Sequence, residues 1–387
     1  MTQSFKPLLL ASAVSLASLP HFSHADTNVS IGGFIKFDAL FSQYSGATRA
    51  GNVGDDFLVP STIATGDGGD TWVYDSNAKF SRLNVKSVTD TDAGKVTGFI
   101  EMDFNGANDE RLTNQASNGL RHAFLKWQKE NGASVTAGQT WSTFFNVGAL
   151  PEAVDFIGPT SGTIFVRQPQ VRYTMPMGAG SVSVAAENPS VGLHADNGTG
   201  TDSNNIDTSG LPDLIARYDG KAGAISYSAA AMLRQIGYND GTNDESENGF
   251  AVSFSGKYAM SNGDDIKFMV SSGTLGRYIA LNAFRDGGIE ADGSVDLTTV
   301  TGGFVAYKHG WSDKSRTTVS YAFANASNSD SITSDVNKSI NNAYVNYMYS
   351  PTKKLTFGVE YMMAERETES GATGDLKRVQ FTSKWAL

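Results

Sequence analysis

The chain has 387 residues, a formal net charge of −10 and no cysteine. The length allows one large domain or two smaller ones. The acidity argues against nucleic acid and against an anionic membrane surface as partners; a small exported domain often needs disulfides, whereas a large barrel does not.

The first elements are not part of a domain. Lys6 supplies a positive n-region, residues 7–20 are an apolar stretch of secretory-signal length, and Ser23-His24-Ala25 puts small residues at −3 and −1 of a cleavage site before Asp26. The run is too short to span a bilayer. The expectation is a cleaved signal over 1–25 and a single β-barrel domain over 26–387. No later segment is a candidate transmembrane helix. If the mature chain lives in a membrane it must be a closed barrel, because nothing else satisfies every backbone hydrogen bond without helices.

The chain then alternates. In 29–41, Val29, Ile31, Ile35, Phe37 and Phe41 fall on one face and Ser30, Lys36 and Asp38 on the other. That is period two, a strand with one oily and one mainly polar side. The pattern recurs at 95–104, 223–234, 250–258, 316–323, 355–363 and 379–387. Alternation alone also fits a soluble sandwich. Connection lengths discriminate. Short polar turns stand at 90–94, 129–132, 177–180, 219–223, 260–264, 310–313 and 350–353. Long loops lie between them, at 43–74, 106–117, 142–166, 189–210, 235–246, 277–295, 327–337 and 367–375. Strict alternation of short and long joins about sixteen antiparallel strands, with tight periplasmic turns and long extracellular loops. Trp127, Tyr218, Tyr258, Trp311, Tyr349 and Trp385 sit near the short-turn level. Amphipathic rings at one depth form the girdle expected at a membrane interface.

One stretch departs from the rhythm. Residues 141–170 hold a Leu-Pro step, a Gly-Pro step, Glu152 and Asp155, and are too long for a hairpin turn. They read as a loop folded back into the barrel. Around it, Gly138-Gln139-Thr140-Trp141-Ser142-Thr143-Phe144, Leu150-Pro151-Glu152, Asp155-Phe156, Gly158-Pro159 and Arg167-Gln168-Pro169-Gln170-Val171-Arg172-Tyr173-Thr174 resemble the DcaP-like porins. Gly32-Gly33-Phe34-Ile35-Lys36-Phe37-Asp38 and Ser81-Arg82-Leu83-Asn84-Val85-Lys86 resemble their opening strands. The resemblance implies a trimeric, sixteen-stranded outer-membrane channel whose third extracellular loop narrows the pore, with dicarboxylate-type solutes. Two departures stand out. The first strand begins almost at the expected cleavage site, so the N-terminal coiled coil of some family members has no place, and the chain ends in Leu387 where outer-membrane barrels usually end in phenylalanine.

Catalysis has little support. His122, His194 and His309 lie apart, none with a metal-ligand spacing partner. No catalytic, cofactor or metal residue is assigned. The polar faces say more. They carry Lys36, Arg82, Lys86, Lys126, Arg172, Arg217, Arg234, Lys257, Lys267, Arg316, Arg378 and Lys384 against Asp38, Glu101, Asp103, Glu187, Asp213 and Glu360. The wall is basic although the protein is acidic, and the excess acid lies in the loops, at Asp244 and Glu245 for example. The candidate pore-lining and constriction residues are Arg82, Lys86, Arg172, Arg217, Arg234, Arg316, Glu152 and Asp155. Wall charges can instead pair across strands, and the two loop acids can anchor the loop. The expected function is a passive channel for small hydrophilic solutes with a lean toward organic anions. A general porin, a barrel-embedded hydrolase and a soluble secreted β-protein are the rivals. Expected partners are such solutes, outer-membrane lipids and two further copies of the chain.

Overall fold

The computed structural model describes residues 27–46, 53–106, 116–195, 210–329, 332 and 336–387. The expected signal over 1–25 lies outside the described residues, as do the loop acids Asp109 and Glu110. In chain order the strands are β1 (Thr27–Tyr44), β2 (Thr71–Asn77), β3 (Arg82–Thr91), β4 (Gly94–Asp103), β5 (Gly119–Gln128), β6 (Ser134–Trp141) and β7 (Arg167–Met177). They continue with β8 (Gly180–Glu187), β9 (Leu193–Ala195), β10 (Asp213–Ala222), β11 (Ile225–Asn239), β12 (Asp244–Ala259) and β13 (Asp265–Gly273). The last are β14 (Gly287–Ile289), β15 (Val295–Leu297), β16 (Thr299–Gly310), β17 (Ser315–Ser327), β18 (Asn337–Tyr349), β19 (Leu355–Thr368) and β20 (Thr373–Ala386).

All but β9, β14 and β15 form one antiparallel sheet. It closes on itself: β1 pairs with β20 from Phe34 opposite Ala386 to Tyr44 opposite Leu376. Both β2 and β3 pair with β1, the one along residues 38–44 and the other along 27–34, so they are two halves of one barrel strand. The described wall is therefore sixteen-stranded. At the break between the halves, the Ser81 hydroxyl accepts the Lys36 N–H at 3.0 Å and stands in for the missing ladder partner. Phe80, beside it, is turned inward and buried.

The faces follow the alternation. Ile31 is 72% exposed and Phe41 48%, while Asp38 and Ser42 on the other face of β1 are buried. A continuous apolar belt of this kind around a closed barrel suits lipid and not water. Tyr258, Trp311, Tyr349 and Trp385 are exposed at the level of the tight turns, and the Trp127 indole N–H donates to the Ala93 carbonyl at 2.9 Å. Tight turns join β3–β4, β5–β6, β7–β8, β10–β11, β12–β13, β16–β17 and β18–β19.

Two long loops are corrected. Residues 235–246 are mostly strand: β11 runs to Asn239 and β12 starts at Asp244, in one long paired hairpin. Residues 367–375 shrink in the same way to a turn between β19 and β20. Polar residues on both faces disguise a strand once it has left the lipid. The lumen is not uniformly polar either. On the side of β10–β18, Met232, Met269, Phe304 and Ile340 pack with Phe144, Ile157 and Ile164 of the third loop and Ile279 and Phe284 of the sixth, between β13 and β16. This hydrophobic core lies inside the barrel.

Candidate functional site: the constriction

The third loop, 142–166, crosses the lumen and is tied to the wall by its own backbone. Val154 and Asp155 donate their N–H groups to the Glu360 carboxylate at 2.8 and 3.2 Å. Asn342 accepts from the Ser161 N–H at 3.0 Å and donates to the Gly158 carbonyl at 2.9 Å. Lys267 donates to the Leu150 carbonyl at 2.7 Å, and Lys36 to the Val154 carbonyl at 3.0 Å. A loop inside a barrel has no ladder to satisfy its peptides, so the inward wall side chains do it.

Local sequence shapes the loop. The Asn146 side chain accepts from the Gly148 N–H at 3.0 Å and opens a single helical turn. The Asp155 carboxylate accepts from the Ile157 and Gly158 N–H groups at 3.1 Å each and from Leu58 of the first loop at 3.0 Å. Gly158 has φ +88° and its α-carbon faces the Tyr344 ring, so a side chain there would collide.

These bonds decide where the acids stand. Asp155 is buried, with its oxygens spent on backbone N–H groups, so it holds the loop and does not offer charge to the lumen. Glu152 makes a two-pronged pair with Arg316 on β17, Nε to Oε2 at 2.5 Å and Nη2 to Oε1 at 2.6 Å. Its side chain remains 35% exposed.

The basic candidates divide by partner. Arg217 is bound to Asp219 at 2.6 Å and to the Phe145 carbonyl at 2.7 Å. Arg234 is buried and paired with Asp286 of the sixth loop and, at 3.4 Å, with Asp213, so it serves the interior and not the lumen surface. Lys86 is exposed and Arg172 half-buried, and neither side chain makes an ion pair or hydrogen bond among the described residues.

Arg82 belongs to a cluster. Its Nη1 stands 3.8 Å from Glu101 Oε1, and the same oxygen accepts from Arg121 Nε at 2.9 Å. Arg121 also reaches Asp103 at 2.6 Å. Both guanidiniums face the ring of Phe156 from the third loop, at 5.8 and 5.4 Å from its centroid. Arg167, at the end of that loop, lies over Trp141 at 4.7 Å and interacts electrostatically with the other two arginines. Three guanidiniums thus meet two carboxylates. Arg82 Nε, Arg121 Nη2 and Arg167 Nη1 are buried with no hydrogen-bond partner among the described residues.

Sequence reasoning missed Arg121. Strict alternation from Leu125 points it outward, but the β4–β5 register shifts between Glu101 and Met102, and the extra residue turns it inward. Leu120 is turned out, 54% exposed, and Arg121 is 1% exposed. A bulge re-aims a side chain in this way. The signal was on the neighbouring strand: Glu101 and Asp103 both face inward and need a cation. Burial pushes Asp56 of the first loop up to about 6, against the pull of Lys79, whose Nζ lies 2.8 Å away. Among the described residues no group of three or more His, Cys, Asp or Glu is placed to hold a metal ion.

The DcaP outer membrane protein model matches residues 11–387. No curated protein matches the chain in a sequence comparison. Among solved structures, the barrel is similar to the outer membrane channel DcaP of Acinetobacter baumannii, at 24% identity over 93% of this chain and 97% of that one, with a TM-score of 0.78. It is also similar to the trimer form of OmpT of Vibrio cholerae, at 11% identity over 93% and 99% with a TM-score of 0.54. Salmonella typhi OmpF in complex with daunomycin follows at 12% identity over 92% and 97%, TM-score 0.56. These identities speak for the fold, and the family match speaks for the rest: this sixteen-stranded barrel with its inserted third loop is an outer-membrane porin, and the chain belongs to the DcaP outer membrane protein family.

Proposed function

We propose that the protein is a passive diffusion channel for small hydrophilic solutes that favours organic anions, dicarboxylates among them. The observation that carries this reading is the group of Arg82, Arg121 and Arg167, which outnumber their carboxylate partners and keep donors unpaired. The excess positive charge favours an anion in the constriction, and the Arg82 side chain, 25% exposed, presents a planar fork that matches a carboxylate. Lys86 adds positive charge on β3, and Arg172 adds more on β7, partly balanced by Glu187 and Asp219. The acids of the loop tips, such as Asp244 and Glu245, stand at an aqueous mouth, where salt screens them over about 8 Å. The pairing of Arg316, Arg217 and Arg234 supports the second reading, a porin with little preference.

The same proposal includes a homotrimer, a signal cleaved near Ala25 and no enzymatic activity. Purified protein in a planar bilayer should give stepwise ohmic conductance, which a barrel-embedded hydrolase has no reason to give. In a salt gradient the reversal potential should show anion preference. Arg82→Glu or Arg172→Glu should move it toward cations. Cation selectivity in the wild type, unmoved by either change, would leave the general porin. Mass measurement in mild detergent tests the trimer, and N-terminal sequencing of the mature protein tests the cleavage.

A further inference from the structure

The sixth loop turns into the barrel and lies against the third. Phe165 donates its N–H to the Tyr278 carbonyl at 2.9 Å and Ala280 donates to the Thr163 carbonyl at 3.1 Å. Ile164 and Ile279 form an antiparallel bridge between them. Tyr278, Ile279 and Ala280 are fully buried. Immediately after the bridge, Ala280, Leu281 and Asn282 have φ of +53°, +58° and +61°. None is glycine, and a run of left-handed residues is disfavoured at every step. Such strain persists only where the surroundings over-determine it, and it gathers at sites that need a fixed shape.

Side chains fix the same contact from beneath. The Tyr278 hydroxyl donates to Asp213 Oδ2 at 2.7 Å and accepts from Gln168 Nε2 at 2.5 Å. Gln168 Nε2 also donates to Glu187 Oε2 at 2.5 Å, and Glu187 Oε1 accepts the Thr143 N–H at 2.6 Å. Tyr278 therefore reaches both ends of the third loop, the far end by its carbonyl and the near end through Gln168 and Glu187. Arg234 secures the other side of the sixth loop by its pair with Asp286.

We propose that the third and sixth loops form one unit, a two-loop constriction, in which Tyr278 is the positioning residue that sets where the third loop stands in the lumen. For its conductance readout the proposal rests on the channel reading; for its exchange readout it does not.

The test is amide hydrogen exchange on the full chain in detergent. Tyr278→Phe keeps the ring and removes the hydroxyl. Exchange should quicken about tenfold at 160–165 together with 276–286, the size of change that loss of one buried hydrogen-bond partner gives. Single-channel conductance should rise and flicker. The chain has no cysteine, so Ile164→Cys with Ile279→Cys in the Tyr278→Phe background adds one disulfide. The Cα spacing of an antiparallel bridge, about 4.5–5.5 Å, suits it. Oxidation should restore wild-type exchange and conductance, and reduction should undo both. If Tyr278→Phe loses heat-modifiable migration, a Gly-Ser linker in place of 276–286 takes its place, with the same expected loss of protection in the third loop. Third-loop exchange that stays slow in the folded variant, or that the disulfide fails to restore, overturns the proposal. Coupled exchange in a barrel that never conducts would remove the channel reading and leave this one standing.

Discussion

Arg316 and Glu152 stand 164 residues apart in the chain and meet as a two-pronged ion pair where the third loop docks on the wall. The pair does two things at once. It fastens the third loop to β17, and it withdraws one guanidinium from solutes that pass.

Glu152→Gln should release Arg316. The pair is partly open to water, so the stability lost should be about 1 kcal/mol or less. The electrical effect should be larger: a reversal potential in a salt gradient shifted toward anions. A shift toward cations, or none, would place Arg316 away from the conducting path.

Glu360 anchors the loop through two of its backbone N–H groups. Glu360→Leu leaves the Val154 and Asp155 N–H groups without their acceptor, at a cost of about 1–3 kcal/mol for each buried group. Conductance should become noisy while heat-modifiable migration stays intact. Deleting 149–158 should go further and widen the pore, since the wall ladder runs without it. Unchanged single-channel conductance in a folded deletion would put the loop outside the path.

Arg121 carries Glu101 and Asp103. Arg121→Leu leaves Asp103 without its cation and Glu101 with Arg82 alone, and breaking a buried pair by removing one partner costs about 3–5 kcal/mol. Anion preference should fall because the local balance drops from one excess positive charge to neutral. Adding Glu101→Gln should recover part of the stability and part of the preference. Additive losses in the double variant would show that Arg121 and Glu101 are not coupled.

Asp264 ties two periplasmic turns together. Its carboxylate accepts from the Tyr307 hydroxyl at 2.6 Å, from His309 Nδ1 at 3.0 Å and from the Gly310 N–H at 3.0 Å. These bonds, that of Tyr307 first, hold its carboxyl well below the usual aspartate range. A depressed acid stabilises the folded state above its unfolded value and loses that contribution as pH falls through the folded one. Asp264→Asn should therefore lower the melting temperature near neutral pH, and the gap from wild type should narrow only in strong acid. A gap that stays constant down to strong acid would remove the carboxylate from the account.

The wall was legible because lipid and lumen make opposite demands on alternate residues. From Val29 to Phe41 every second side chain had to be oily, and the exposure of Ile31 and Phe41 follows. Past the lipid that demand lapses, which is why 235–246 reads as a loop and is a hairpin. Arg121 was hidden because one inserted residue inverts every inference drawn from alternation. Inside the third loop no period exists. Nothing in 142–166 separates Asp155, closed on its own backbone, from Glu152, open to Arg316. The packing of the sixth loop against the third rests on bridges such as Ile164 to Ile279, which no local pattern records.

The anchors of the third loop come late in the chain. Val154 waits for Glu360, 206 residues onward, and Ser161 for Asn342, 181 onward. Ladder pairs between neighbouring strands are local by comparison, and long-range contacts form slowly because the closure entropy must be met first. The barrel must therefore bring its last strands round before its own obstruction can settle. The place of the third loop in the lumen is thus a property of the last strands as much as of its own sequence: without β18 and β19, Ser161, Val154 and Asp155 would have no acceptors for their N–H groups.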